Sequence, residues 1–202
     1  MTPASATRLK TVAREASACT RCDLYRDATA TVFGAGPASA RLMLVGEQPG
    51  DAEDRQGAPF VGPAGRILDQ ALGDSGISRP DAYLTNAVKH FKFEKRGKRR
   101  LHQPPNRTEI VACRPWLEQE LAIVDPAVVV ALGAVAGSAL IGPGFRVGQH
   151  RGKAEEIRVG SWSGLVVSTI HPSAVLRSRD SEARADAYAG LVADLRTACA
   201  RL

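Results

Sequence analysis

The chain has 202 residues, 44% of them hydrophobic and 24% charged, which allows a core without disulfide staples and excludes a disordered or fibrous protein. No apolar run nears the roughly 20 residues of a membrane span, and the start, MTPASATRLKTVAREAS, lacks the apolar centre of a secretory leader, so a cytoplasmic protein is expected. The net charge of +6 favours an anionic partner.

Residues 7–17 have helical spacing and lead into the turn holding Cys19 and Cys22. RLMLVG at 41–46 is a short apolar run stopped by glycine, a buried strand. A long Gly- and Pro-rich loop then runs to 65, and loops of that length are usually functional. Residues 64–75 form a helix with Ile67, Leu68, Ala71 and Leu72 on one face, and AYLTNAV at 82–88 a second strand. A basic loop follows, with seven Lys or Arg between Lys89 and Arg100 and the stretch KRGKRRLHQPP at 95–105. Asn106 or Thr108 caps a helix through Trp116 and Leu121. VVVALG at 128–133 and GLVVSTI at 164–170 are the third and fourth strands, with helices at 134–140 and about 181–198.

Alternating helices and near-continuous apolar strands predict an α/β protein, a three-layer α/β/α sandwich around a four-stranded parallel sheet. It is read as one domain over 1–202, with an N-terminal helix and cysteine segment (about 1–25) and a basic loop (about 92–106). Ligands bind such sheets beyond the carboxyl ends of the strands. The polar motifs fall there: GEQPG at 46–50, Asn86 and His90, and His171.

Cys19 and Cys22, with Cys113 as third partner and either His90 or Cys199 as fourth, suit structural zinc or an iron–sulfur cluster. A glycine-flanked Glu47 and a lone His171 are each weak signals. The clustered cations point to nucleic acid, yet a solvated basic loop would look the same.

Taken together, the Cys-x-x-Cys at 19–22, GEQPG at 46–50, GAPFVGPAGR at 57–66, LTNAVKHF at 84–91, CRPWL at 113–117 and HPS at 171–173 resemble the uracil-DNA glycosylase superfamily, closest to its family 4. KRRLH at 98–102 resembles an inserted loop of the UdgX subgroup, which cross-links itself to uracil-containing DNA and carries Ile in the Leu101 position. The resemblance implies a uracil-DNA glycosylase acting in DNA repair on single- and double-stranded uracil-containing DNA, as a monomer. It implies that Phe60 stacks on the flipped uracil, Asn86 bonds its edge, His171 steadies the leaving base, and Glu47 and Gln48 lie beside the glycosidic carbon. His102 becomes the nucleophile at the sugar C1′; Lys98, Arg99, Arg100, Ser173 and Arg177 hold DNA; Cys19, Cys22, His90 and Cys113 hold a 4Fe-4S cluster. Family 4 relatives usually carry cysteine where His90 stands.

The chemistry agrees with these residue types. The base must be extruded at about a few kcal/mol, and a held imidazole outcompetes water at the sugar carbon. Neutral imidazole is the reactive form, and flanking cations are expected to keep His102 neutral. The alternatives are a conventional turnover glycosylase with His102 on a phosphate, and a non-catalytic iron–sulfur DNA-binding protein.

Overall fold

A computed structural model describes residues 3–202. Along the chain come α1 (Pro3–Ser17), β1 (Leu42–Gly46), α2 (Asp51–Gln56), α3 (Pro63–Asp74), β2 (Ala82–Asn86), β3 (Phe93–Arg96) and β4 (Arg99–His102). Then follow α4 (Arg107–Val124), β5 (Val128–Leu132), α5 (Ala134–Leu140), α6 (Val147–His150), β6 (Ala154–Val159), β7 (Trp162–Thr169), α7 (Pro172–Leu176) and α8 (Ser181–Cys199).

The main sheet has the order β2-β1-β5-β7-β6. The first four strands are parallel, and β6 runs antiparallel to β7. β1, β2 and β5 are buried throughout, as a sheet covered on both faces requires. Successive side chains alternate between two cores. Met43 and Val45 pack with Val12, Trp116, Leu117, Leu121 and Leu140 on one face. Leu42 and Leu44 pack with Leu68, Leu72, Leu191 and Leu195 on the other. Each such fully buried side chain contributes roughly 1.5–3 kcal/mol of transfer free energy.

The expected architecture is an α/β sandwich, and so is the structure, but the sheet has five strands and is mixed. The added strand is β6, sequence AEEIRV, at the sheet edge. An edge strand needs few apolar residues, so its charges hid it. The long loop after β1 contains the short helix α2. The basic loop is a hairpin, β3 pairing with β4 from Phe93↔His102 to Arg96↔Arg99. Its two-residue turn sets Gly97 at φ 60°, a conformation glycine supplies without strain. Asn106 is the cap of α4: its side chain accepts from Glu109 N at 2.9 Å, and Glu109 answers at Asn106 N, 2.7 Å. Among the described residues no helix is long and apolar enough to cross a membrane.

Candidate active site

The parallel ladder continues past its strand ends. Ala87 N–H donates to Gly46 O (2.9 Å) and Val88 N–H to Glu47 O (3.0 Å). Glu47 and Asn86 are thereby held side by side at the carboxyl edge of the sheet. Gly46 is needed there for space: a Cβ would stand 2.4 Å from Asn86 Oδ1 and 2.6 Å from Phe60 Cζ. Asn86 is buried, and its side-chain amide makes no hydrogen bond among the described residues, so it is free to meet a ligand. Phe60 is buried with φ 55°, a conformation disfavoured for a bulky residue. Arg79 Nη2 holds its carbonyl at 3.2 Å. The Phe60 ring faces His171, with centroids 6.4 Å apart.

His171 caps α7. Its Nδ1 accepts from Ser173 N at 3.2 Å and lies 2.7 Å from Ser173 Oγ, which accepts from Arg177 Nη1 at 2.8 Å. An Nδ1 that accepts places the ring proton on Nε2. Burial, then Arg177 and His102, push the His171 pKa down to about 4. His171 is therefore a neutral donor.

His102, half-exposed at the end of β4, puts Nε2 3.4 Å from Glu47 Oε1. The contact is off the hydrogen-bond line, and buried Glu47 Oε1 has no other partner. Burial raises the Glu47 carboxyl, opposed by Arg177. Burial, then Arg177, lowers the His102 imidazole. The neutral imidazole expected from the sequence thus has a different cause. Burial and Arg177 dominate, and the flanking cations do not.

Glu47, Gln48, Phe60, Asn86, His102, His171, Ser173 and Arg177 all line one cavity of about 850 Å³. Lys98 and Arg99 do not line it; they are exposed near the hairpin turn. Gln48 is buried, and its amide is engaged by the base of the hairpin: Nε2 donates to Lys92 O (3.2 Å) and Gln103 O (2.9 Å), while Oε1 accepts from Lys92 N (3.2 Å). It ties the hairpin that carries His102 to the segment after β1, while still lining the cavity.

Arg100 is turned to carboxylates of its own chain. Its guanidinium pairs with Asp51 through Nε and with Asp54 through Nη1 at 2.6 Å. It also lies over Phe91 and Phe93, 5.4 and 5.0 Å from the ring centroids. Buried Asp54 further accepts from Thr29 N at 2.9 Å. Of the other cations counted in the basic stretch, Lys92 pairs with Glu109 at 3.0 Å and Lys89 is fully buried.

On the face of the sheet covered by α1 and α4, Cys19 and Cys22 pack against the core cluster that contains Cys113. Burial pushes the Cys113 thiol up to about 11. Lys89 N–H donates to Cys113 Sγ at 3.1 Å and Trp116 Nε1 to Cys19 Sγ at 3.2 Å. Sulfurs that accept N–H bonds, as Cys19 and Cys113 do, are of the donor type that holds an iron–sulfur cluster. His90 does not join them: its Nε2 lies 2.8 Å from Thr31 Oγ1. Among the described residues, no three His, Cys, Asp or Glu side chains converge on a single-ion site. Cys199 belongs to the opposite core.

A cavity at the carboxyl edge of a parallel sheet, with an aromatic wall, a free amide and a neutral histidine donor, has the form of an enzyme site for a small heteroaromatic group. The chain matches the uracil DNA glycosylase superfamily over residues 33–196, and it belongs to that superfamily. It is 37% identical over 182 residues to the Type-4 uracil-DNA glycosylase of Thermotoga maritima, covering 87% of each chain. It is 36% identical over 163 residues to the Type-4 uracil-DNA glycosylase of Pyrobaculum aerophilum, covering 79% of this chain and 80% of the relative. A Type-5 uracil-DNA glycosylase from the same archaeon is 32% identical over 121 residues, about half of each chain.

Proposed function

We propose that this uracil-DNA glycosylase excises uracil once and stays joined to the resulting sugar through His102, as the UdgX subgroup does. The observation that carries the reading is His102 Nε2 standing 3.4 Å from Glu47 Oε1 at the mouth of the cavity. Uracil enters against Phe60, with its edge on the Asn86 amide. The C1′–N1 bond breaks with its electron pair leaving on uracil. The Nε2–H of His171 donates to that anion without carrying charge itself, and an uncharged preorganised donor of this kind stabilises the departing base. Glu47, held beside the sugar by the Val88 N–H bond to its backbone, stabilises the cationic C1′.

The lone pair of neutral His102 then closes on C1′, and the alkylated ring loses its remaining N–H proton to water. Tethering gives the imidazole an effective concentration far above that of free solutes, and an alkylated imidazole is a poor leaving group. Ser173 and Arg177 lie at the cavity, and Lys98 and Arg99 on the exposed hairpin, where they meet phosphates of single- or double-stranded DNA. The protein works as a monomer in this reading. A 4Fe-4S cluster held by Cys19, Cys22, Cys113 and a reoriented His90 would fasten the segment after α1 to α4, with no part in the bond-breaking step.

The test is incubation with a uracil-containing single strand, followed by boiling in detergent and a denaturing gel. A slower band containing both protein and DNA is expected, absent with thymine DNA and with His102→Ala. Free abasic product without that band would mean ordinary turnover with water in place of His102, which the Type-4 names of the relatives would suit. Binding that ignores uracil and releases no base would mean a non-catalytic DNA-binding protein. Iron with broad absorbance near about 400 nm in anaerobically handled protein supports the cluster; zinc in its place would contradict it.

A further inference from the structure

Lys89 reads in the sequence as part of the basic stretch, yet it is fully buried, as is its partner Glu120. Its ammonium makes three bonds: to Thr85 Oγ1 (2.7 Å), Asn86 O (2.7 Å) and Glu120 Oε2 (2.5 Å). All three donors of an ammonium are thus satisfied. Glu120 Oε1 in turn accepts from Tyr83 OH (3.0 Å), Thr85 Oγ1 (2.9 Å) and Gly34 N (3.0 Å). The network spans β2, α4 and the segment before β1. A buried ion pair is seldom better for stability than well-packed apolar residues. What this pair does that apolar residues would not is grip a backbone carbonyl, that of Asn86.

We propose that Lys89 is a positioning residue for Asn86: its ammonium fixes the turn after β2 from which Asn86 presents its amide to the base. The inference rests on the reading that Asn86 meets the uracil edge. Residues 87–90 have no regular structure. Among the described residues, the Asn86 side-chain amide has no partner to orient it. Its direction therefore depends on its own backbone, which the ladder holds on one side through Ala87 N–H and Lys89 holds on the other. Recognition groups must be fixed within about 0.5 Å to work. The same turn is tied to Cys113 through the Lys89 backbone N–H, so Asn86 and the cysteine segment share one anchor.

The experiment is a double-mutant cycle. Lys89→Met alone would leave the Glu120 charge unpaired in the core, so the variant is Lys89→Met/Glu120→Gln, whose neutral amide can still accept from Tyr83 and Thr85. If that protein does not melt cooperatively, Lys89→Met/Glu120→Leu, apolar at both positions, replaces it. Released uracil is measured in single turnover at saturating enzyme on a uracil-containing single strand. Excision is expected to slow by about 10- to 100-fold, but by less than about threefold when the change is made in the Asn86→Ala background. Wild-type rates in the pair variant, or losses that multiply with Asn86→Ala, would overturn the role of Lys89 and leave Asn86 as reader. Wild-type excision by Asn86→Ala itself would overturn both.

Discussion

The carboxyl ends of β1, β2 and β7 and the β3–β4 hairpin face the same cavity but are held in opposite ways. Glu47 and Asn86 extend the buried parallel ladder between β1 and β2, and His171 is locked by its own helix cap. His102 stands on a two-stranded ribbon outside the main sheet. Such ribbons are marginal alone, and this one depends on side chains: Gln48 at its base and Arg100 against Asp51 and Asp54. In the proposed mechanism, the difference gives breaking the glycosidic bond and trapping the product to separate structures. Groups for the first are built into the sheet. The group for the second is carried on a device fastened to it.

That division predicts a graded series. The largest effect belongs to the sheet: Glu47→Gln should slow both excision and adduct formation by about 10²- to 10³-fold, the scale of losing one preorganised electrostatic group, read in single turnover. Arg100→Ala should leave excision within about threefold while the fraction trapped falls. Leaving Asp54 unpaired should also cost about 3 kcal/mol of stability by denaturant unfolding. Equal loss of excision and trapping in Arg100→Ala would break the division.

The pH profile sharpens it. The half-exposed His102 has its pKa below the ordinary imidazole value of about 6.5, and in the proposed mechanism only its neutral form attacks. The trapping rate should therefore stay level from pH 8 through about 6.5 and fall only below that, as the ring gains its proton. His171 adds a stability term of the same sign. It is held neutral down to about pH 4, so the unfolded chain binds the extra proton between about 6.5 and that value. Stability should decline across this window and level off beneath it. The smallest effect is at the hairpin tip. Lys98→Gln/Arg99→Gln should reduce the salt dependence of single-strand binding by about 0.7 per lost phosphate contact, with the rate at saturating enzyme unchanged.

The four parallel strands were legible because strands buried on both faces are continuous apolar runs, and those runs located the strand-end residues. The β6 edge and the hairpin were not: half of AEEIRV is charged and its apolar face is only Ile157 and Val159, while KRGKRR has no apolar side chain. Arg100 looks like Lys98 and Arg99 in sequence. What separates it is a pair of aspartates 46 and 49 residues away. The bonds of Gln48 to Lys92 and Gln103 could not be read without the hairpin folded over it. One signal was present and unread: Glu120 falls on the buried stripe of α4 with Trp116, Leu117, Leu121 and Val124, where a charge implies a buried partner. That partner is Lys89.

The central claim is a bond between His102 and the sugar. The most direct measurement is mass spectrometry of the trypsin-digested product formed with a short uracil-containing strand. Cleavage after Arg100 and Arg107 isolates LHQPPNR, whose single histidine is His102. That peptide should carry the mass of the base-free strand, with fragmentation placing it on His102. Recovery of the peptide wholly unmodified after complete uracil release would contradict the account.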